Sequence, residues 1–418
     1  MFWLIENTHQ LNIFDKKLNK EAFIEIIPYN PYIHPSQNSI SCIYIRPVED
    51  YKGYILPIFH TEVPKNLYED QVFLILKKLD KIYCRDKKEF LHYFPLQQTY
   101  DLTFPNQFET QYTRAHEFLY EKYKDRVDVN TIVPIVKHYE YCQALFEELE
   151  HLIEKPINEF YNHKASWVFY GIELSGLHVD IDVYNQYFNE TTEPYVFTKY
   201  NFKTLTTRPS NTFNGVNYAA LNKENGCRKA FKARNTLFYE YDISAYHPTL
   251  LANAIGYDCG GMDIYSNLSE VFNVDRQKAK LLTLQQLYGG ILPEYKHIEF
   301  FKKVKIYVDK LWENFQNKGY IECPISNHKF YRDELDNMNP QKLLNYVIQN
   351  LETSNNVNLM WEFFRILKGK NTKLVLYTYD SFLFDIDENE INVLDSIKNI
   401  FIKQNLSYTI KNGIDYNF

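Results

Sequence analysis

Short apolar runs set the pattern from Phe23 onward. FIEIIPY is followed by SISCIYIRP and, after a polar break, by GYILPIF, the spacing of a small antiparallel sheet. The period then lengthens to that of helices. Gln71 to Leu79 and Lys88 to Tyr93 carry apolar residues three and four apart, and Val133 to Ile153 reads as a longer amphipathic helix that Pro156 closes, so a first domain boundary is expected near Pro156. Trp167–Tyr170 and Val179–Val183 flank GIELSGLHVD, and Phe188 to Lys203 has no periodicity, as in a linker or a very small subdomain. The second half opens with turn residues around Arg208, TTRPSNTFNGVNYAAL, and passes through the basic GCRKAFKAR to an aromatic strand, Leu237 to Tyr241, that delivers Asp242 to a helix start. There Ser244 is expected to cap the helix, with Pro248 in its first turn and Leu250, Leu251 and Ala254 facing inward. Asp275 predicts the N-cap of a helix through RQKAKLLTLQQLYGG to a Gly-Gly stop. Ile298–Phe315 predicts another helix, Pro340–Leu367 one or two more, LVLYTYDSFLFDI a strand, turn and strand, and the tail a helix and a last strand near Tyr408. No internal repeat or low-complexity tract interrupts this order.

Composition rules out disorder and several chemistries. The chain has 418 residues, 45% of them hydrophobic and 17% aromatic, with only 13 Gly and 16 Pro, enough for two or three packed domains. A net charge of −7 argues against a generally basic nucleic-acid coat. The sum hides a local field, because Lys199 to Lys310 holds about 16 Lys and Arg against about 10 Asp and Glu. Six scattered cysteines without CxxC or a Cys/His cluster support neither a zinc site nor a disulfide framework. With no basic-then-apolar leader and no stretch of about 18 apolar residues, a soluble protein of the cytoplasm is the expectation, the host's if the chain is viral.

Three segments carry candidate chemistry. Asp242, at a strand end beside a helix start, is well placed to hold a metal ion while the space above stays open, although an Asp capping a helix is common. Arg276, Lys280, Leu284 and Tyr288 recur every four residues, so they project along one gently spiralling helix face. Arg grips phosphate bidentately, Lys supplies a point charge and Tyr a stacking plane beside flexible Gly289. A solvated basic face with a buried Tyr is the alternative reading of that helix alone. Asp380 stands at the turn of YTYDSFLF.

In that order and at those spacings, the three segments resemble motifs A, B and C of family A DNA polymerases, the bacterial polymerase I type. DISAYHPTLLA matches the metal-binding Asp and the Ser two positions on (Asp242, Ser244), the Arg276 helix matches the fingers helix with its terminal Tyr-Gly, and Asp380 takes the second metal-ligand position. Asp263-Ile264-Tyr265 resembles the approach to the fingers. Thr206-Thr207-Arg208 with Ser210 is similar to the Thr-Gly-Arg signature near the primer, and Asn345 with Ile348-Gln349 to the pair that contacts the minor groove. GIELSGLHVD resembles the start of the polymerase region, so the likeness covers about 165 to 418.

The resemblance implies an α+β right-hand polymerase with palm and fingers at 204–418 (fingers about 262–335), a strongly reduced thumb within 156–203, and an RNase H-like, exonuclease-like α/β domain at 1–155. Its partners would be primer-template DNA and deoxynucleoside triphosphates, with a processivity partner protein in prospect. Two Mg²⁺ ions would be held by Asp242, Asp380 and the backbone carbonyl of Ile243. Lys280, counted with the aspartates as catalytic, and Arg276 would neutralise the triphosphate; Leu284, Tyr288 and His247 would complete the nucleotide site. Arg208, Asn345, Gln349 and Tyr379 would meet DNA. The reaction implied is nucleotidyl transfer in DNA replication, in a compact bacteriophage-like form.

Departures from the family pattern are as specific. His247 replaces the Glu that guards against a ribose 2′-hydroxyl, Leu284 replaces an aromatic, and Tyr379-Asp380-Ser381 lacks the third carboxylate of motif C. In the N-terminal domain the first strand offers Ile27-Pro28-Tyr29 where Asp-x-Glu is expected, and the late helix has Tyr139 followed by Gln143 in place of Tyr and Asp, so exonuclease chemistry is expected to be lost. Only about 25 residues stand where the thumb belongs, which implies weak, salt-sensitive DNA binding. A polymerase-shaped scaffold without catalysis is the competing class. Retention of Asp242, Asp380, Arg276 and Lys280 favours the enzyme, because a scaffold has no physical need of metal carboxylates opposite triphosphate-binding cations.

Overall fold

The computed structural model describes residues 3–18, 20–104, 114–125 and 132–418. The early apolar runs become the centre of a mixed sheet. Strands β1 (Trp3–Leu4), β2 (Glu21–Pro28), β3 (Ile40–Pro47), β4 (Tyr54–Pro57), β5 (Lys81–Cys84) and β6 (Thr99–Asp101) lie in the order β1-β4-β3-β2-β5-β6. β2, β3 and β4 pair antiparallel as the pattern predicts, while β2, β5 and β6 run parallel. Helices α1 (Thr8–Lys17), α2 (Glu69–Leu76), α3 (Lys87–Tyr93), α4 (Ala115–Tyr123) and α5 (Ile135–Leu149) accompany it. Both faces of β2 are buried: Ala22, Ile24 and Ile26 pack with Leu11, Phe14, Val72 and Phe90, and Phe23 and Ile27, on the face that also carries Glu25, with Cys142, Leu145 and Phe146 of α5.

This first unit, Met1–Tyr170, ends beyond Pro156, and the second is Gly171–Phe418. The first unit runs on past Pro156 because the following residues still pack into it. Asn162 accepts the Asp101 N–H at 2.7 Å and the Tyr161 ring lies 4.1 Å from that of Phe104. The division falls inside α6 (Ser166–Ser175).

In the second unit come β7 (Leu177–His178), α7 (Ile181–Tyr187), β8 (Tyr195–Val196), β9 (Thr212–Phe213), β10 (Val216–Asn217), β11 (Leu237–Ile243) and α8 (Tyr246–Ala254). They are followed by α9 (Ile264–Phe272), α10 (Arg276–Gly289), α11 (Glu299–Lys318), β12 (Tyr320–Glu322), β13 (Lys329–Tyr331) and α12 (Pro340–Leu367). Last are β14 (Lys373–Thr378), β15 (Ser381–Ile386), α13 (Val393–Lys403) and β16 (Tyr408–Gly413). Its main sheet is antiparallel in the order β14-β15-β11-β16. Period-two alternation divides β11 between two environments. Phe238 joins Val375, Leu383 and Phe231 on one face, and Tyr241 meets Phe384, Phe401 and Tyr408 on the other. A separate core under α8, α9, α10 and α11 joins Leu251, Leu268, Leu287, Phe301, Val304 and Ile348.

Two local expectations change. Ser244 does not cap α8: the cap is Ala245, in the left-handed region at φ 52°, and no side chain closes the helix end. The chain leaves β11 still paired, with the Ser244 N–H on the Ser407 carbonyl at 2.8 Å, and this tie carries the strand through the position where a cap would form. Pro340–Leu367 is one helix of 28 residues, started by Asn339, whose side chain accepts the Lys342 N–H.

The aromatic layer beneath the sheet makes a stability prediction. Phe401 is fully buried, stacks on Tyr241 at 5.4 Å and touches Phe363, Phe382 and Tyr408. Phe401→Ala is expected to cost about 3–5 kcal/mol in urea unfolding. Tyr241→Phe, which removes a buried hydroxyl that has no hydrogen-bond partner among the described residues, is expected to be neutral or stabilising, and a large loss there would show that the hydroxyl is satisfied.

Candidate active site

The strand ends of β11 and the turn after β14 meet at one cavity of about 370 Å³ within the second unit. Asp242, Ile243, His247, Arg208, Asp380, Arg276, Lys280, Leu284 and Tyr288 all line it. Asn345, Gln349 and Tyr379 do not: Gln349 bonds the turn that carries Arg208, Asn345 bonds Gln349, and the Tyr379 ring lies under the Arg208 guanidinium.

The two aspartates are brought together by strand register. Asp242 lies opposite Ser381 in the β11–β15 ladder, and the Ile243 N–H donates to the Asp380 carbonyl at 2.8 Å. Both carboxyls are shifted upward. Burial, helped by Glu240, raises Asp242 against the pull of Lys411, Lys223 and Lys280. Burial and then the Asp242 charge push Asp380 up to about 6. Asp380 nevertheless faces the cavity openly, so the shift reflects a carboxyl ringed by protein and by like charge and still reachable from solvent. Tyr379 pays for the sharp turn with φ 61°, an uncommon conformation for an aromatic residue. It is held there from two sides: the Arg208 guanidinium lies 3.8 Å above its ring and Asn356 Nδ2 donates to its carbonyl at 2.6 Å.

Across the cavity, α10 is capped by Asp275, whose carboxylate accepts the Lys278 N–H, and it stops at Gly290 with φ 94°. The four-residue repeat does face the cavity along its length. Arg276 is not idle in this state. Asp263, itself the cap of α9, accepts from Arg276 Nε and Nη2 at 3.2 and 3.1 Å, which leaves Nη1 without a bond among the described residues. Lys280 has no hydrogen bond or ion pair among the described residues. Tyr288 bonds His247 Nδ1 through its hydroxyl at 2.6 Å, and burial of that hydroxyl end, with the Glu352 charge behind it, pushes the phenol up to about 12.

Of the residues that α12 contributes, sequence reasoning named Asn345 and Gln349 but missed Glu352 and Asn356. Glu352, 2% exposed, accepts from His247 Nε2 at 2.9 Å and lies 3.3 Å from Arg208 Nε, a charge contact whose N–H is not aimed at the oxygen. Asn356, fully buried, accepts the Tyr246 hydroxyl at 2.6 Å and donates to the Tyr377 hydroxyl and the Tyr379 carbonyl. The Thr206–Arg208 turn docks on the same helix, with Thr206 Oγ1 on Gln349 Oε1 at 3.0 Å and Gln349 Nε2 on Asn345 Oδ1 at 3.2 Å. The signal was present: Asn345, Gln349, Glu352 and Asn356 continue one helical stripe of polar residues into a segment otherwise rich in apolar ones.

No protein-family model matches the chain, and no curated protein matches it in sequence. In structure it is similar to the POL domain of Pol1 from M. smegmatis, solved in complex with DNA primer-template and dNTP, with a TM-score of 0.74 over 100% of this chain and 99% of that one. Sequence identity over that match is 14%, so the likeness establishes the fold, the mixed α+β architecture of that polymerase domain. No helix among the described residues is long and apolar enough to cross a membrane.

The paired carboxyls predict a pH dependence. Asp380 ionises at about 6 in the fold against an ordinary 3.8, so the folded chain binds more protons than the unfolded one between those values and stability falls as pH rises through that window. Asp242→Asn removes the like charge while keeping the burial. Carboxyl-carbon NMR titration should then find Asp380 below about 6, and the fall in thermal stability across the window should shrink. An unmoved Asp380 would show that the two carboxyls do not sense each other.

Proposed function

We propose that this chain is a template-directed DNA polymerase of family A, a nucleotidyltransferase that extends a primer 3′ end with deoxynucleotides. The observation that carries the reading is the arrangement of one cavity: two carboxylates, at the end of β11 and in the adjoining β14–β15 turn, along one wall and the Arg276–Lys280–Tyr288 face of α10 along another. The neighbouring Pol1 domain with its primer-template and dNTP supports it at the level of the fold.

The donor set fits magnesium. It is all oxygen, and both carboxyls are held at raised affinity for protons by burial and, at Asp380, by mutual repulsion, the condition that a divalent cation relieves. Asp242, Asp380 and the Ile243 carbonyl would hold two Mg²⁺ ions. When bound, these supply the charge that lowers the pKa of the primer hydroxyl and balances the leaving pyrophosphate. The chain's own residues do the rest. Lys280, unpaired among the described residues, offers its ammonium to the triphosphate, and Arg276 presents its Nη1 edge, unbonded among those residues, while Asp263 fixes its orientation. Leu284 lays an apolar floor between the cations and Tyr288, and His247 with Tyr288 walls the nucleotide. Arg208, stacked on Tyr379 beside Asp380, together with Asn345 and Gln349, would position the primer-template.

Within the first unit, residues 1–155 we infer to be a degenerate exonuclease-like domain, with the reduced thumb at 156–203 and palm and fingers at 204–418. Gln143 stands where a metal-binding acid is expected and its Oε1 is already taken by the Tyr44 hydroxyl at 2.7 Å and Arg46 at 3.0 Å. Glu25, buried in β2, is committed to Arg85 at 3.0 Å and His116 at 2.9 Å, and Arg85 and His116 hold it below the usual carboxylate range despite burial. The same reading extends to a role in the replication of a phage genome in its host's cytoplasm, with a partner protein supplying the grip that a short thumb lacks.

Primer extension with Mg²⁺ and four deoxynucleotides tests the reading. Wild type should extend, and Asp242→Asn or Asp380→Asn should reduce addition at least about 10³-fold with the fold retained by circular dichroism. Extension by either variant at the wild-type rate would exclude the assignment. On the same substrates without nucleotides, the chain should leave a labelled 3′ end intact over hours; Mg²⁺-dependent shortening that Glu25→Gln suppresses would place a working hydrolytic site in the first unit.

A further inference from the structure

The side chains of Glu352, His247 and Tyr288 form a chain of hydrogen bonds that crosses from α12 through α8 to the end of α10. With the imidazole neutral, its chemistry has one consistent direction. A carboxylate only accepts, so Glu352 takes the hydrogen of His247 Nε2 at 2.9 Å. In the neutral ring this leaves Nδ1 as an acceptor, and it is met at 2.6 Å by the hydroxyl of Tyr288. The phenol, held at about 12 by burial, keeps its proton to donate. Arg208, 3.3 Å from the same carboxylate oxygen, balances the charge that this buried anion brings.

The consequence is mechanical. Alone, an imidazole on the first turn of α8 and a phenol one residue from the Gly289-Gly290 stop of α10 each have rotamers to choose from, and the glycines allow the helix end to shift. Linked to a fully enclosed carboxylate on a 28-residue helix, the two rings stand 6.4 Å apart at 67° as one fixed edge of the cavity. A fixed edge discriminates between ligands that differ by one hydroxyl. A yielding edge does not.

Resting on the polymerase reading, we propose that Glu352 is a positioning residue for substrate size: it fixes His247 as the Nε2–H tautomer and through it holds Tyr288, so that the two rings form a rigid wall that excludes a ribonucleotide from the cavity. Glu352 touches no reacting atom. It supplies, from a distant helix, the carboxylate that is missing at position 247 itself.

The test has two independent arms. In the full chain with ¹⁵N-labelled histidine, His247 should show a protonated Nε2 and an unprotonated, hydrogen-bonded Nδ1, and Glu352→Leu should convert it to a mixture of tautomers. This arm reads the positioning whether or not the chain extends primers. In single-nucleotide extension, Glu352→Leu should raise the ratio of ribo- to deoxynucleotide kcat/KM by roughly tenfold. Glu352→Gln, which keeps an acceptor for the Nε2 hydrogen, should return the ratio most of the way to wild type. His247→Ala should raise the ratio as far as the His247→Ala, Glu352→Leu double variant does. Tyr288→Phe, which breaks the far link without leaving Arg208 unpaired, should raise it too and guards against a Glu352→Leu chain that does not fold. An Nδ1–H tautomer in the wild type, an unmoved tautomer in Glu352→Leu, additive effects in the double variant, or equal losses for both sugars at an unchanged ratio would each overturn the proposal. Failure of wild type to extend any primer would instead reject the polymerase reading and leave the tautomer arm to decide what Glu352 does.

Discussion

The antiparallel register of β11 against β15 is the constraint on which the cavity rests. Asp242 stands opposite Ser381, and the next backbone bond joins Ile243 to Asp380, so one ladder sets both carboxylates. A slip of one residue would send Asp242 to the opposite face, among Phe384, Phe401 and Tyr408. The aromatic layer therefore does more than stabilise: by rejecting a carboxylate, it excludes the wrong register. Ser381 reinforces the right one, donating to Glu240 at 2.9 Å, and the same Glu240 accepts the Tyr416 hydroxyl at 3.0 Å.

The strained Tyr379 turn beside the two raised carboxyls is braced by α12. Its 28 residues run about 42 Å at 1.5 Å per residue. Along one stripe it places Gln349 against the Thr206 turn, Glu352 against Arg208 and His247, and Asn356 against Tyr246 and the strained Tyr379. Each of these groups comes from a different part of the chain. A single rigid element that bonds to all of them converts three separate loops and helix starts into one frame, and buried amides are suited to this because they donate and accept at once.

This division also explains what could be read in the sequence. Asp242, Asp380 and the Arg276 face were legible because each is local: a carboxylate at a strand end or hairpin turn, or a repeat of four on one helix. The strands and long helices were legible for the same reason, their periods being written in consecutive residues. Glu352 and Asn356 are chemistry at a distance, more than a hundred residues from Tyr246 and His247 in sequence, and nothing near them on the chain says what they meet. Lys411 and Lys223, which bear on Asp242, arrive equally from afar. Ser244 misled because a good local cap competed with a tertiary hydrogen bond to Ser407, and the tertiary bond prevailed. The short parallel strands β5 and β6 gave too few residues for a period to show.

The distribution of neutralised and open charge points the same way. Around the cavity Arg276 is bound by Asp263, Glu352 by Arg208 and His247, and Glu240 by Lys411 at 3.6 Å. Each of these charges has an internal partner that fixes its direction. Asp242 and Asp380 instead have each other, an arrangement that raises the proton affinity of Asp380, and Lys280 has no such partner among the described residues. A fold selected only for stability gains by pairing these last groups across so small a cavity, since opposite charges a few ångströms apart attract strongly once water is thinned between them. Here they stand on separate walls: β11 and β15 paired in register on one side, and α10 packed through Leu287 against Phe301 and Val304 on the other. The charges left open are those for which a cation and a polyanion, entering together, would complete the neutralisation.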